Sequence, residues 1–419
     1  MWSLLRTNGA FRRLFGAQLI SYAGDWFATV AALGLLIDAT GSDLLASVFW
    51  VAQTLPTFVM GPIAGPMADR FDRRRIMIAV SFLQAAVALT FLLAGRGMPW
   101  FVFIAQGGVT ALGAFFGPAA QAGVANLVTE EELPTAAALM GATWGAMLAV
   151  GAALGAAFTV AFGRDAAFLA DAASFVIAGL LIISIRASLQ AERGIGTVAP
   201  RMRPIHDSVE ALRHARRHPT ILALLGSHVG FGFGAGVVGL LAVLATAKFG
   251  GTDAATGLLL AGRGIGVLIG PLLVRRLARR GIHGVLLACG FAAVWYGTMY
   301  LFVSIVPWLI LAFLGVALAH FGGGAQWSLT TYGLNLTTPD ELRGRIFAAD
   351  AAFVTLAMSI SLVFAGTVSG FIGPSATISI IAATSFIWGV VFLILTRTIR
   401  ADAEAEAAAV APSSVVEEL

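Results

Sequence analysis

Two ionisable side chains sit where apolar sequence would bury them, and each implies chemistry. Asp25 interrupts LISYAGDWFATVAALGLLI (19–37). Gln18, Ser21, Tyr22 and Thr29 fall at −7, −4, −3 and +4 from it, on one face of a helix. A carboxylate in hydrocarbon costs about 2.5–3.5 kcal/mol on insertion scales, so it faces a cavity or a partner. Asp25 reads either as a structural, hydrogen-bonded carboxylate or as a protonatable coupling group that could also hold a substrate cation. Arg263, in AGRGIGVLIG (261–270), stays charged in proteins. It requires an acid, several carbonyls, an anionic substrate, or a path along which its head snorkels to the headgroups.

Charge is otherwise concentrated at corners. GPMADRFDRRR (65–75) packs two aspartates and four arginines into one junction between apolar runs, in a chain with only 11% charged residues. Such a corner reads in part as a basic loop that stays on the cytoplasmic side. That reading leaves Gly65, Asp69 and Asp72 without a role.

The elements that must position these residues are membrane helices. The chain has 419 residues, 58% of them hydrophobic, and its charge is well below the roughly 25% of a soluble protein. A bilayer is crossed by roughly 20 apolar residues in a helix. Alternating segments of about ten residues, as in a β-barrel, are absent. Spans are expected near 14–37, 44–68, 76–95, 99–124, 136–161, 165–185, 221–246, 254–274, 283–303, 307–331, 346–371 and 376–396. The first has no small-residue cleavage site and is expected to remain as a span.

Twelve spans place both termini on one face. Of the 26 Lys and Arg residues, 22 fall on that face and three, Arg96, Arg164 and Lys248, on the other, while Arg263 lies within a span. Positive residues are retained in the cytoplasm, so both termini are expected there. The organisation that follows is a six-helix bundle at 1–186, a basic cytoplasmic linker at 187–219, a second bundle at 220–400 and a disordered cytoplasmic tail at 401–419.

The halves are related. At an offset of 209 residues, Gly61-Pro62 falls on Gly270-Pro271 and NLVTEEEL (126–133) on NLTTPDEL (335–342), with five of eight positions identical. The basic corner falls on VRRLARR (274–280). Parallel repeats about an axis along the membrane normal are one of the architectures of secondary transporters, with substrate held at the midplane between halves.

These residues resemble the major facilitator superfamily. Its loop between the second and third spans runs G-x-x-x-D-R-x-G-R-K/R, matched by Gly65, Asp69, Arg70, Arg73 and Arg74, with Asp72 in place of the second glycine. EEELPTAAAL and DELRGRIFA are similar to the bacterial macrolide and siderophore exporter branch. The fourth-span arginine of drug/proton antiporters is absent at Gln106-Gly107-Gly108. The fifth-span motif survives as Gly151 and Gly155 without its proline. The resemblance implies an all-α fold of twelve transmembrane helices in two pseudo-symmetric bundles. It also implies that Gly65, Asp69, Arg70, Arg73 and Arg74 form a conformational latch. There the aspartate meets the N-terminal end of the eleventh span and the arginines pair with neighbouring acids. The first and eighth spans border the central cavity in that family, so Asp25 and Arg263 are candidate partners. Pairing competes with Asp25 as a free proton carrier.

Weaker signals are polar or aromatic residues within spans: Gln18, Tyr22, Trp26, Trp50, Thr54, Gln106, His228, His320 and Trp327 are candidate cavity-lining residues or packing groups. Asp171 is expected to be structural, and Asp350 to serve the N-terminus of its span or the loop arginines. Gly234-Ala-Gly236-Val-Val-Gly239 satisfies a dinucleotide-binding pattern without the preceding strand, so it reads as close helix packing. One cysteine, Cys289, allows neither an intrachain disulfide nor a cysteine-built metal site. No metal, cofactor or nucleic-acid partner is expected. Without a G-x-x-x-x-G-K-[ST] loop, ATP is not the energy source in this chain. The expected activity is proton-coupled efflux of amphipathic small molecules by a monomer in the bacterial inner membrane. The alternative is an exporter of a lipid-like or siderophore-type anion. An enzyme is disfavoured: H-E-x-x-H and G-x-S-x-G are absent, and Glu130–Glu132 lie in a loop.

Overall fold

A computed structural model describes residues 2–95, 97–129, 131–190, 213–251, 253–273 and 280–410. Among them every regular element is a helix, and twelve helices are long and apolar enough to cross a membrane. They are α1 Gly9–Thr40, α2 Asp43–Arg70, α3 Arg73–Ala94, α4 Phe101–Val124, α5 Leu133–Phe162, α6 Arg164–Ile183, α7 Pro219–Phe249, α8 Asp253–Leu273, α9 Gly281–Ile305, α10 Leu309–Thr337, α11 Asp340–Ile372 and α12 Pro374–Leu395. The all-helical membrane fold read from composition is the observed one.

Local chemistry sets the helix ends. Asn8, Ser42 and Asp72 are N-caps whose side-chain oxygens accept from the amides of Phe11, Leu45 and Arg75. Asp72 thus explains the missing glycine: the corner has extended backbone there (φ −62, ψ 115), and a capping carboxylate suits it better. Thr129 and Glu132 form a reciprocal capping box just before α5.

The repeat is structural. Gly41 ends α1 and Gly250 ends α7, 209 residues apart, and both are left-handed (φ 59 and 79). Gly163 and Gly373 link α5 to α6 and α11 to α12 in the same conformation (φ 86, ψ 166 and φ 82, ψ 162), a region essentially restricted to glycine. Helix packing follows the same shift of six. The pairs α1–α5, α1–α6, α2–α4, α3–α4 and α3–α6 recur as α7–α11, α7–α12, α8–α10, α9–α10 and α9–α12. The halves meet through α5–α8 and its counterpart α11–α2.

The halves are joined at one end only of the apolar core. One buried cluster contains Trp26, Leu33 and Phe49 of the first half together with Leu241, Leu259 and Tyr300 of the second. Towards the face carrying the termini the core divides in two. Phe11, Met77 and Ile182 belong to a cluster of the first half, and Ile221, Leu286 and Ile346 to one of the second. The terminal half of α2 exposes Leu55, Phe58, Val59 and Ile63. The bundle therefore parts at the terminal face and is sealed at the far face.

Small residues make the seal tight. A Cβ on Gly264 of α8 would stand 2.2 Å from the backbone nitrogen of Ala149 in α5, and one on Gly366 of α11 would stand 2.6 Å from the Cα of Leu44 in α2. Helix α7 tightens into i→i−3 bonds at Ala235, Val238 and Leu240. Its glycines there accept Ser385 at Gly234, Ser361 at Gly236 and Ser47 of the other half at Gly239, as close packing requires. Beyond α12 the chain continues as a helix, Arg397–Val410, which corrects the disordered reading over 401–410. Ala and Glu are strong helix formers, and His283 contacts the Arg400 carbonyl (3.0 Å) and Glu404 (3.4 Å). Residues 191–212 of the linker and 411–419 of the tail lie outside the described residues.

Because the collision at Gly264 is with backbone, Gly264→Val should pry α5 from α8. Transport in reconstituted vesicles is expected to fall at least about ten-fold while membrane insertion is retained.

Candidate functional site

At mid-membrane the halves share an aromatic seam. The Arg263 guanidinium of α8 lies 5.3 Å from the centroid of the Trp50 ring in α2, and Trp50 lies 6.3 Å from Trp26 of α1. Trp26 packs against Gly151 and Gly155 of α5, so these motif glycines admit an indole. On the other side of Arg263 are Tyr296 and Tyr300 of α9, within electrostatic reach. The Tyr300 hydroxyl is 2.8 Å from His320 Nε2 of α10, and Tyr296 packs on both. Phe231 connects Tyr296 to Trp327, whose ring lies 4.7 Å from His228.

Asp25 and Arg263 do not pair: among the described residues neither makes an ion pair. Arg263 is held on the π face of Trp50, where a quadrupole substitutes for a counter-ion. Its Nε is buried without a hydrogen-bond acceptor, as is the Trp50 indole nitrogen. Asp25 belongs to a half-buried stripe with Gln18, Ser21 and Tyr22. It lies within electrostatic reach of Asp171 on α6 rather than of the second half. Asp171 is buried against Gly24, its Oδ1 has no hydrogen-bond partner, and Ser174 donates to its backbone carbonyl. The expected polar stripe is therefore present, with a second carboxyl beside it.

Asp350 is also corrected. It lies well inside α11, and its Oδ2 is 2.7 Å from Nδ1 of His228 on α7. The other candidates divide by exposure. Gln18, Tyr22 and Thr54 are half-buried and Trp327 is 43% exposed, whereas Trp26, Trp50, Gln106, His228 and His320 are buried in this state. Gln106 donates to Thr110 of its own helix (3.1 Å), so it does not line open space.

Two of the corner arginines, Arg73 and Arg74, bind the ends of helices, and among the described residues neither makes an ion pair with an acid. Arg73 donates to the carbonyls of Ala122 (3.0 Å) and Leu189 (3.2 Å), and Arg74 to that of Ile183. Those carbonyls belong to the ends of α4 and α6 or just beyond, where orphan acceptors and the helix dipole favour cations. Arg70 ends α2, exposed. Gly65 and Asp69 are in α2, but their side chains lie outside the described residues.

One cross-half clasp has no precedent in the sequence reading. Arg164, at the start of α6, donates from Nε and Nη2 to the two oxygens of Asp253 in α8, both at 3.1 Å, and from Nη1 contacts Asp38 at 2.8 Å. Asp43 of α2 accepts from Ser369 of α11 at 2.5 Å. The available signal was charge complementarity: two aspartates at span ends, Asp38 and Asp253, face one of the few cations of that side. The geometry supports no covalent chemistry; it is a seal at one face, a parted crevice at the other, and unpaired polar groups between.

Comparison with known proteins agrees in class. The sequence profile of the transmembrane secretion effectors matches residues 1–419. The multidrug efflux pump Tap of Mycolicibacterium fortuitum is 25% identical over 409 residues, covering 93% of this chain and 96% of that one. The uncharacterised MFS-type transporter YfiS of Bacillus subtilis is 24% identical over 403 residues, covering 93% and 94%. Macrolide efflux protein A of Streptococcus pyogenes is 27% identical over 219 residues, covering 51% and 53%. Among solved structures, a peptide transporter, POT, aligns with a TM-score of 0.75 at 10% identity over 93% of this chain and 95% of that chain. A bacterial homologue of the lysosomal transporter Spinster, inward-facing and unoccupied, gives 0.68 at 16% identity over 94% and 96%. At such identities the structures share the fold alone.

The Arg164–Asp253 clasp is partly solvated, so it contributes on the order of 1 kcal/mol, a roughly five-fold shift in the balance between states. In a Ser47→Cys, Cys289→Ser background, Asp253→Asn is expected to speed thiol labelling from the far face by about that factor.

Proposed function

The chain belongs to the transmembrane secretion effector family of the major facilitator superfamily, and we propose on that premise that it exports amphipathic small molecules by alternating access, driven by the proton gradient. It is a multi-pass membrane transporter and not an enzyme. In this reading it is a monomer of the bacterial inner membrane with both termini in the cytoplasm. The parted face then opens to the cytoplasm and the Arg164 clasp seals the outside. When the parted face closes, Asp69 meets the N-terminal end of α11, with Gly65 allowing the approach and Arg70, Arg73 and Arg74 holding the corner.

The observation that carries the proposal is Asp25. Its carboxyl lies within the membrane, half-buried, without an ion pair among the described residues, on a stripe with Gln18 and Tyr22. A carboxyl so placed can bind a proton or a substrate cation in one state and release it in the other. The aromatic seam between the halves, buried in this state apart from Trp327, is flat and apolar with few charges, as suits amphipathic substrates once the seam opens. The names of the relatives, a multidrug efflux pump and a macrolide efflux protein, support the same direction.

A second reading has its own support. The Nε of Arg263 and the indole nitrogen of Trp50 are adjacent buried donors that lack acceptors. An anionic, siderophore-type or lipid-like substrate would supply the acceptor oxygen.

In vesicles under an imposed pH gradient, Asp25→Asn is expected to lose uphill accumulation at least about ten-fold while downhill exchange persists. Wild-type accumulation in that variant would remove Asp25 as the coupling group. For the second reading, Arg263→Ala should weaken binding of an anionic probe by about ten-fold or more relative to a cationic one. Equal losses for both probes contradict an anion contact.

A further inference from the structure

We propose that His228 and Asp350 form a proton-binding clasp between α7 and α11, distinct from Asp25. The inference deepens the proton-driven reading and rests on it only for the consequence to transport.

Both ring nitrogens of His228 face oxygen. Nδ1 is 2.7 Å from Asp350 Oδ2, and Nε2 is 3.3 Å from the main-chain carbonyl of Trp327 on α10. A carbonyl only accepts, so Nε2 carries a proton. A contact of 2.7 Å between Nδ1 and a carboxyl oxygen requires another proton between them, on either atom. The dyad therefore holds one proton more than a neutral imidazole beside a carboxylate. His228 is buried at 1% exposure and Asp350 at 6%, and Asp350 Oδ1 has no hydrogen-bond partner. Water that could take over either contact is thereby limited.

Releasing that proton changes the contact. If Nε2 keeps its proton, a bare Nδ1 faces Oδ2. If the tautomer flips, a bare Nε2 faces the Trp327 carbonyl. In either case two lone pairs oppose each other in a dry site, and one contact must lengthen. The step is a single proton exchanged with water; no other bond is made or broken. The clasp is well placed to matter, because α11 also forms the seal with α2. A further tie between the same helices lies deeper, where Ser361 of α11 donates to the Phe233 carbonyl and accepts from the Gly236 amide at the tightened turn of α7. Trp327 is 43% exposed and stacks on the imidazole, so the dyad adjoins open surface.

Other titratable groups around the dyad have partners of their own. On α9, Cys289 contacts Thr330, which donates to Ser227, and Tyr296 reaches the Gly234 carbonyl. On α10, His320 is bonded to Tyr300. On α8, Arg263 lies beyond the tyrosines on Trp50. Nearer the terminal face on α11 are Arg343 and Arg345, each engaged in interactions of its own. On α12, the groups facing α7 are Trp388 and Ser385, neither charged.

The test is nitrogen NMR of full-length protein carrying 15N-histidine in lipid nanodiscs, from about pH 5 to 9. The His228 signal is assigned by its loss in His228→Gln. At neutral pH the wild type should show Nε2 protonated and Nδ1 protonated or strongly hydrogen-bonded. In Asp350→Asn the second proton has no carboxylate to share it, so one His228 nitrogen should move to the bare range under the conditions where the wild type shows none. A bare nitrogen in the wild type at every condition, or a His228 signal unchanged in Asp350→Asn, overturns the proposal. If Asp350→Asn fails to fold, the wild-type spectrum decides. The wild-type His228 signals should persist in Asp25→Asn even where its transport is lost. That separates failure of the clasp from failure of the Asp25 reading.

Discussion

Hydrocarbon offers no water, so every charge within the bundle must find a partner, a polarisable surface or a proton. That constraint accounts for most of what is distinctive in the membrane interior. Arg263, which cannot easily neutralise, lies on an indole. His228 and Asp350 satisfy each other across two helices. Asp171 is buried against a glycine whose missing side chain makes room for it. Asp25 alone of these carboxyls is half-buried rather than buried. The difference in accessibility, rather than residue type, separates a structural carboxyl from one suited to exchange.

The same economy shapes the contact between halves. A machine that alternates needs a seal tight enough to exclude ions and weak enough to open. Glycines at α5–α8 and α2–α11 bring backbones together over a broad area without bulky interlocking side chains, and a partly solvated clasp at Arg164 adds modest, breakable attraction. At the other face the corner arginines are occupied with the carbonyl ends of their own half. They tie the helices of the first bundle to one another.

Much of this was legible from the residues. Twelve spans followed from low charge and from apolar runs long enough to cross a bilayer. The repeat followed from matches at one offset, and Gly41 and Gly250, not singled out beforehand, sit at that same offset in the same backbone conformation. The polar stripe around Asp25 followed from helical periodicity, which is local. What escaped were partnerships between residues 89 and 122 positions apart, Arg164 with Asp253 and His228 with Asp350. Periodicity says which face a side chain occupies but not which helix that face meets. For Arg263 the limit was of the same kind: an aromatic ring was as good a solution as an acid, and only packing decides between them. Asp72 was different again, a departure from the family pattern that became intelligible once its capping bond was seen.

The central claim is that two rigid halves rock about the midplane, so that one face closes as the other opens. Pairs of spin labels read it directly: one pair on Ala39 and Ala247 at the far face, the other on Phe71 and Arg280 at the terminal face, all exposed positions. Distances measured in lipid across pH and with a transported compound should change reciprocally, the far pair lengthening as the terminal pair shortens. Two pairs that stay fixed, or that lengthen together, would contradict the account.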